Sequence, residues 1–410
     1  MPIVLAACSE RANVPEPLVT RQSSQCFPQS INRDLDLLFV IDNSPSMADL
    51  QDRIDAQLDG FMQALADLRY GFPDAHIGVV SADLGTGTRS VPGCTTDGDA
   101  GRFQSTARGE CEPPDGTFIE ATSADGELFG NVPDADGNGA LEVADVQAAF
   151  RCIARLGASG CGYEQPLEAA RRALSCTEEG QCTNPGFLRE SALLMIVFIT
   201  DEDDCSAADD AAFDSTAPTE GGCRCFELGV ECDATGCAPN EDSPYLHPVR
   251  RYYDFFSYLK PRGLVLLATV SGPWEEGATV ETITDGTGNC ALVPSCAGPA
   301  GDGAFPAVRI AHLVRLFEDD GTVLSDEDSA GLCGDDFPGA LRRIGEDAGE
   351  WTIKCIGEPL IAVSGAPIVH PDEAVCVATE YNDDVPRELP RCVFESEPPV
   401  ACGPLLESPG

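Results

Sequence analysis

Short runs of apolar residues alternate along this chain with longer stretches in which apolar residues recur every three or four positions. The runs are typical of buried strands, and the longer stretches are typical of helices that pack one face against a sheet. The predicted strands cover residues 34–41, 75–81, 116–123, 191–200 and 263–270. The predicted helices cover residues 48–70, 143–156, 164–175, 245–260, 305–318 and 337–348. This alternation predicts an α/β fold with a doubly wound, mostly parallel sheet, in which 116–123 is an antiparallel edge strand.

The composition between these elements divides the chain into three parts. Residues 1–33 are polar and weakly patterned, and we predict that they form a leader and tether. Residues 34–350 contain the predicted strands and helices, interrupted by insertions near 84–142, 205–243 and 273–303. In residues 351–410 proline and cysteine separate short β-like runs, which predicts a disulfide-tied tail instead of another layer of the fold.

Polar residues follow the first predicted strand immediately. The apolar run 37–41 ends at Asp42, and Ser44 and Ser46 come next. Ligand sites of open α/β sheets lie just beyond the carboxyl ends of the strands. A carboxylate and two hydroxyls on one turn suit a hard cation such as Mg²⁺ or Ca²⁺. The alternative is that these side chains only cap the helix that follows.

The order D-x-S-x-S between an apolar strand and a helix resembles the metal-ion-dependent adhesion site of von Willebrand factor type A domains. Thr200, Asp201 and Glu202 resemble the third metal loop of that family, which implies that Asp201 is a ligand. The second loop of the family carries a threonine before a helix, and this chain has none at the corresponding place. The candidates there are the hydroxyl of Ser159 and the carboxylate of Glu164. A carboxylate at that place would favour Ca²⁺ over Mg²⁺.

Two segments, GCGYEQPLEA and FITDEDDCS, are similar to a group of exported, cysteine-rich bacterial lipoproteins that contain this domain. The resemblance covers residues 34–348 and implies a Rossmann-like von Willebrand type A fold. It also implies a cation whose coordination is completed by an acidic side chain of a partner protein. We therefore expect divalent-cation-dependent protein binding on the bacterial envelope. The alternative is a structural envelope lipoprotein, stabilised by cations and disulfides, that binds no ligand through the metal.

The charge of the chain is strongly negative. Its 410 residues include 69 acidic and 25 basic residues, which gives a formal net charge of −44. Such a surface repels nucleic acid and anionic lipid headgroups, and it attracts divalent cations and basic partners. An equally good explanation is that the charge keeps the protein dispersed, or adapts it to salt. No nucleic-acid partner is expected.

Twenty cysteines are scattered, mostly singly, through loop-like sequence. This distribution is typical of disulfides in an exported protein, whereas cytosolic cysteines are more often metal ligands or catalytic thiols. Leu5-Ala6-Ala7-Cys8 resembles a bacterial lipobox, which implies lipid attachment at Cys8 and an outer-membrane or extracellular location. The lipid would be the chain's only membrane anchor. The residues before Cys8 are fewer than a signal peptide has, and the alternative is a chance match.

Residues 134–145 have the spacing of an EF-hand calcium loop, and a predicted helix follows them. The twelfth position is an aspartate instead of the usual glutamate, and the preceding segment is too short and glycine-broken for an entering helix. The alternative is a solvated Asp/Gly turn that caps the helix. The candidate ligands of this second calcium site are Asp134, Asp136, Asn138, Ala140, Glu142 and Asp145.

Other chemistry is only weakly indicated. A four-thiolate zinc site is conceivable by number, but the lack of paired C-x-x-C motifs favours disulfides. The histidines are spread singly, and the chain has neither a G-x-S-x-G motif nor a phosphate-binding glycine loop. The acidic run 201–204 is better explained by cation binding and a solvated loop than by an acid–base pair, so we expect no enzymatic activity. The cysteines of the conceivable zinc site are Cys223, Cys225, Cys232 and Cys237.

Overall fold

The structure is a computed structural model, which describes residues 33–68, 71–124, 126–177, 179–214, 221–260, 264–275, 277–284, 290–297, 303–319, 330–333, 342, 344–345, 379–382 and 385–388. The α-helices among them are α1 Ala48–Ala66, α2 Val143–Ala154, α3 Pro166–Ala173, α4 Gly221–Gly229, α5 Val249–Leu259 and α6 Val308–Asp319. The strands are β1 Asp34–Ile41, β2 Asp74–Ser81, β3 Ile119–Ala124, β4 Glu127–Gly130, β5 Leu193–Ile199, β6 Val230–Asp233, β7 Gly236–Pro239, β8 Val265–Ser271, β9 Thr282–Thr284, β10 Cys290–Leu292, β11 Cys296–Ala297, β12 Gly303–Ala304, β13 Ala330–Gly331, β14 Thr379–Asn382 and β15 Val385–Glu388.

A seven-stranded sheet in the order β13-β8-β5-β1-β2-β3-β4 forms the centre of the fold. The strands from β13 to β2 pair in parallel, and β3 and β4 add to β2 in antiparallel pairs. The prediction of a mixed α/β fold with a mostly parallel sheet is therefore confirmed. The prediction that β3 is the edge strand is wrong, because β4 pairs with its outer side. The true edge strand, β4, has too few residues, and too few apolar ones, for an alternation of apolar and polar residues to be recognised in the sequence.

Helices cover both faces of this sheet. Leu37, Phe39 and Ile41 of β1 belong to the core that β1 shares with α1 and α2. Leu38 and Val40 belong to the opposite core, with α3, α5 and α6. Because successive side chains of a strand point to opposite faces, a strand covered on both sides needs an uninterrupted apolar run. This explains the composition of β1.

The direction of the strand order reverses at β1. Along the chain β2 adds to one side of β1, whereas β5 and then β8 add to the other side. The last residues of β1 and β5, Ile41 and Ile199, are register partners, and the N–H of Asp42 donates to Ile199 O at 2.9 Å. The loops that follow these two strands therefore begin side by side, in the crevice where open α/β sheets bind ligands.

The insertions contain small antiparallel hairpins and disulfides. The hairpins pair β6 with β7, β9 with β10 and β11 with β12, and β14 pairs with β15 in the C-terminal part of the chain. The disulfides among the described residues are Cys94–Cys161, Cys111–Cys152, Cys176–Cys182, Cys205–Cys225, Cys223–Cys290, Cys232–Cys237 and Cys296–Cys333. The disulfide prediction is confirmed, and these bonds indicate an oxidising compartment, outside the cell or at its surface.

The predicted zinc alternative is wrong, because all four of its cysteines form disulfides. Cys223 and Cys290 approach the carboxylate of Glu227, but their sulfur atoms are bonded to each other.

Among the helices in the described ranges, none combines the length and the apolar character needed to cross a membrane. Three predictions lie outside the described residues. They are the lipobox at Cys8, the helix 337–348 except for residues 342 and 344–345, and the tail except for β14 and β15.

Candidate metal centre

The first loop of the centre is the turn between β1 and α1. The carboxylate of Asp42 is buried, and its Oδ1 accepts a hydrogen bond from the N–H of Ser44 at 2.7 Å. A 3-10 turn, Pro45–Met47, leads directly into α1, and Ser44 precedes it without a side-chain capping bond. Ser44 therefore does not cap this turn through its side chain, as the capping alternative required.

The third loop joins the first through three side chains. The hydroxyl of Ser46 donates to Oδ1 of Asp201 at 3.1 Å, and the hydroxyls of Ser44 and Ser46 are 2.8 Å apart. Thr200 donates its hydroxyl to Oδ2 of Asp42 at 2.8 Å. Ser46 is exposed, whereas Asp42, Ser44 and Asp201 are buried. The structure thus brings together the four residues predicted from the first and third loops, with one oxygen-bearing side chain at the surface.

The second loop brings a carboxyl group to the same place. Glu164 is 2% exposed, and the carboxyls of Asp42, Asp201 and Glu202 all act electrostatically on it. The N–H of Cys205 donates to the carbonyl of Glu164 at 2.7 Å, which ties the second loop to the third. Glu164 was predicted to begin a helix, but in the structure it lies two residues before α3, which begins at Pro166.

Ser159, the other second-loop candidate, is exposed. The contact between its loop and the first loop is a backbone bond, in which the N–H of Gly160 donates to Asn43 O at 2.7 Å. A side chain at position 160 would collide with Asn43, since an added Cβ would lie 2.4 Å from its Oδ1. A side chain at this position would therefore require the amide group of Asn43 to move.

Burial raises the pKa of every carboxyl in this cluster, and repulsion from neighbouring carboxyls adds to it for Glu164, Asp201 and Glu202. Burial is the main cause for each, and it raises the pKa of Asp42 and takes that of Glu164 well above its ordinary value. Burial, with Asp42 and then Glu202 nearby, raises the pKa of Asp201 to about 8. The half-buried Glu202 has its pKa raised to about 7 by burial and by Asp42. Four acidic groups so close together would be stabilised by a positive charge.

The described residues provide no strong basic partner for these carboxyls. No basic group of the described residues is among the main groups that act on these four carboxyls. The Oε1 atom of Glu164 is buried and has no N–H or alcohol donor among the described residues. Carboxylate and hydroxyl oxygens with an unmet charge are the ligands that a hard divalent cation requires. The residues present therefore fit such an ion.

Two residues of the centre were not assigned as ligands from the sequence. Thr200 and Glu202 flank Asp201, and the prediction used them only as part of the motif. The hydroxyl of Thr200 accepts a hydrogen bond from the N–H of Glu202 at 3.1 Å, which turns the chain after β5. A buried strand that ends in a run of polar residues was the available signal.

The rest of the acidic run is structural, and the expectation of a solvated loop is wrong. Asp203 lies in the loop after β5 and is buried against the first turn of α6. Its Oδ1 accepts hydrogen bonds there from the N–H groups of Arg309 at 3.0 Å and Ile310 at 3.3 Å. Asp204 forms a fully buried ion pair with the guanidinium of Arg309 at 3.1 Å, and it accepts a bond from the N–H of Leu167 in α3. These two carboxylates fix both helices beside the centre.

The 134–145 loop forms a tight turn before α2. Asp134 accepts bonds from the N–H groups of Gly139 at 2.7 Å and Gly137 at 2.8 Å, and these bonds lower its pKa. Asp145 accepts from the N–H groups of Ala135 and Glu142 and forms a capping box with Glu142. Asp136 and Asn138 likewise accept N–H bonds from within the turn, and Ala140 is exposed.

The alternative reading of this loop, an Asp/Gly turn that caps the helix, matches these contacts. The segment before the loop is β4, not a helix, as the sequence indicated. Leu141 forms an antiparallel bridge with Leu128 of β4, so the turn is fastened to the sheet edge. Calcium binding here stays a prediction.

No protein-family model matches this chain, and no curated protein matches it. Among solved structures the chain is similar to the pilus adhesin SpaC from Lactobacillus rhamnosus GG, in its open conformation. The identity is 9% and the TM-score 0.30, and the alignment covers 79% of this chain and 30% of the adhesin. A similarity of this size leaves the family of the chain open.

Proposed function

We propose that the chain is an exported von Willebrand type A protein that binds a protein partner through a divalent cation at this centre. Asp42, Ser44, Ser46 and Asp201 would hold the ion, with an oxygen from the second loop. The bound ion would supply a positive charge that attracts an acidic side chain of the partner. A lipid on Cys8 would attach the protein to the bacterial envelope.

One observation carries this proposal. At the crevice end of β1 and β5, four carboxyl groups and two serine hydroxyls converge, and no basic side chain of the described residues is among the main groups acting on them. Buried charges of one sign are retained in proteins when they are paired or bind metals. The exposed Ser46 and the half-buried Glu202 give the centre an open side, from which a partner could approach.

The test is calorimetric titration of Mg²⁺ and of Ca²⁺ into chelator-treated wild type and the Asp42→Ala variant. Asp115→Ala is a matched control, because Asp115 is exposed and lies outside the centre. We expect cation binding in the wild type and the control, and its loss in Asp42→Ala. Capture of partners from envelope extract should require both the cation and Asp42. Capture that persists in Asp42→Ala would overturn the adhesion-type mechanism.

A second candidate function is structural, and the burial of the centre favours it. Asp42, Ser44, Glu164 and Asp201 are all nearly inaccessible, and disulfides begin at Cys161 and Cys205 on either side. An ion held in this way would stabilise a secreted scaffold without touching a partner. A chelator would then lower the melting temperature and leave partner capture unchanged. A second Ca²⁺ in the 134–145 loop would likewise stabilise the fold without contacting a partner.

A further inference from the structure

The backbone of Glu164 is fixed beside the centre by hydrogen bonds to two other loops. Its carbonyl accepts the N–H of Cys205 at 2.7 Å, and the next residue, Gln165, donates its N–H to Ala82 O at 2.9 Å. The side-chain amide of Gln165 forms two further hydrogen bonds. Its Nε2 donates to Gly85 O, and its Oε1 accepts from the N–H of Ala207. The backbone at Glu164 is therefore fixed to the loop after β2 and to the loop after β5.

The surroundings of this carboxyl are acidic. It is 2% exposed, its Oε1 has no N–H or alcohol donor among the described residues, and the charged groups that act most strongly on it are Glu202, Asp42 and Asp201. A buried carboxylate without donors costs free energy unless a cation or a proton neutralises it. The backbone carbonyl of Glu164 is bonded to Cys205 and its side chain contacts Glu202, so Oε1 is the atom left available to a ligand.

The number of carboxyls bears on which cation would bind. Ca²⁺ takes six to eight oxygen ligands and tolerates several carboxylates in irregular geometry. Mg²⁺ requires near-octahedral geometry, keeps several waters and usually binds through one or two carboxylates. Asp42, Asp201, Glu202 and Glu164 together exceed what Mg²⁺ normally uses.

We infer that Glu164 is a direct cation ligand and that it makes the centre select Ca²⁺ over Mg²⁺. This inference rests on the proposed function, since it concerns the same ion. A threonine at this place, as in the resemblance described above, would supply a neutral oxygen. The carboxylate gives the chain an additional negative ligand of its own, and with it a preference for the larger ion.

The experiment compares Ca²⁺ and Mg²⁺ affinities by calorimetry in the full chain, after chelator treatment and at fixed ionic strength. All proteins carry Asp134→Ala and Asp136→Ala, so that the 134–145 loop does not contribute. Glu164→Gln keeps the size of the side chain and removes its charge, whereas Glu164→Asp keeps the charge and shortens its reach. Glu120→Gln, at an exposed position of β3, is the matched control.

We expect the wild-type centre to bind Ca²⁺ at least about tenfold more tightly than Mg²⁺, and Glu164→Gln to weaken Ca²⁺ binding by about 10–100-fold. The Mg²⁺ affinity should change less, so the preference shrinks, and Glu164→Asp should lie between the two. Circular dichroism in chelator verifies that each variant folds. If Glu164→Gln fails to fold, the Glu164→Asp result decides.

Two outcomes would overturn the inference, and they differ in what they leave standing. Unchanged Ca²⁺ affinity and unchanged preference in Glu164→Gln, with binding still lost in Asp42→Ala, would show that Glu164 is not a ligand while the cation centre exists. Absence of specific cation binding in the wild type would overturn both the inference and the proposed function.

Discussion

The hydroxyl of Thr200 donates to Oδ2 of Asp42 at 2.8 Å, although 158 residues separate the two in the chain. The bond joins the first residues after two neighbouring parallel strands, β1 and β5. Asp42 Oδ1 already accepts the N–H of Ser44, so Thr200 fixes the second oxygen of the same carboxyl. The orientation of Asp42 is therefore set by both loops before any ligand binds.

Replacement of Thr200 by valine tests this arrangement. Valine has nearly the same shape but no hydroxyl, so Oδ2 of Asp42 loses its donor in a buried place. We expect a loss of about 1–3 kcal/mol in the free energy of unfolding, measured by urea denaturation in chelator. Thr200→Ser retains the hydroxyl and should lose much less. Equal stability of the valine and serine variants would contradict this role.

The raised pKa values predict that the stability of the chelator-treated protein depends on pH. Asp201 and Glu202 titrate near 8 and near 7 when folded, against ordinary values of 3.8 and 4.5. Between the ordinary and the raised values the folded protein binds more protons than the unfolded chain. The free energy of unfolding should therefore fall as the pH rises from about 4 to about 8.

Denaturation curves at intervals across this range measure the slope. Asp201→Asn removes one of the titrating groups and should reduce the slope. If the centre binds Ca²⁺ as proposed, saturating Ca²⁺ should also reduce the slope, because the ion would stabilise the ionised carboxylates. Because protons and the cation compete for the same oxygens, cation affinity should weaken as the pH falls. A slope identical in wild type and Asp201→Asn would show that Asp201 does not contribute to it.

The buried ion pair between Arg309 and Asp204 should dominate the stability of the region beside the centre. Arg309→Met leaves Asp204 charged and unpaired in the core, which typically costs about 3–5 kcal/mol. Arg250→Met removes an exposed pair with Asp254 and should change stability by less than about 1 kcal/mol. Thermal and urea unfolding of both variants provide the comparison. A small effect of Arg309→Met would mean that water reaches Asp204.

The 134–145 loop can be separated into its capping and its calcium-binding roles. Asp145→Ala breaks the capping box of α2 and should cost about 0.5–2 kcal/mol in chelator. Asp136→Ala changes an exposed residue and should cost little under the same conditions. If the loop binds Ca²⁺, both variants should lose the stabilisation that Ca²⁺ adds. If only Asp145→Ala differs from wild type in chelator and in Ca²⁺, the loop is a helix cap alone.

Much of the fold could be predicted because the central strands are covered on both faces. The bounds of β1 were predicted correctly, since its apolar run is uninterrupted and ends sharply at Asp42. The edge strand β4 was missed because an edge strand with one exposed face needs few apolar residues. The start of α3 was placed two residues early, since Glu164 is a common helix residue and the turn that contains it depends on tertiary bonds.

The candidate site could be predicted only where its residues belong to one short motif. Asp42, Ser44 and Ser46 lie on a single turn, whereas the contributions of Thr200 and Glu202 depend on the pairing of β1 with β5. The buried roles of Asp203 and Asp204 depend on Arg309, more than a hundred residues away in the chain. No local pattern distinguishes an acidic residue that binds a distant arginine from one that is solvated.

The disulfide Cys94–Cys161 connects the long loop after β2 with the segment that leads to Glu164, and Cys205–Cys225 begins one residue after the acidic run. Two of the three loops of the centre are thus fastened by bonds that form only on oxidation. If the centre binds a cation as proposed, its affinity should therefore be higher in the oxidised protein than in the reduced one. The redox state of its surroundings would then determine how strongly the chain competes for divalent ions.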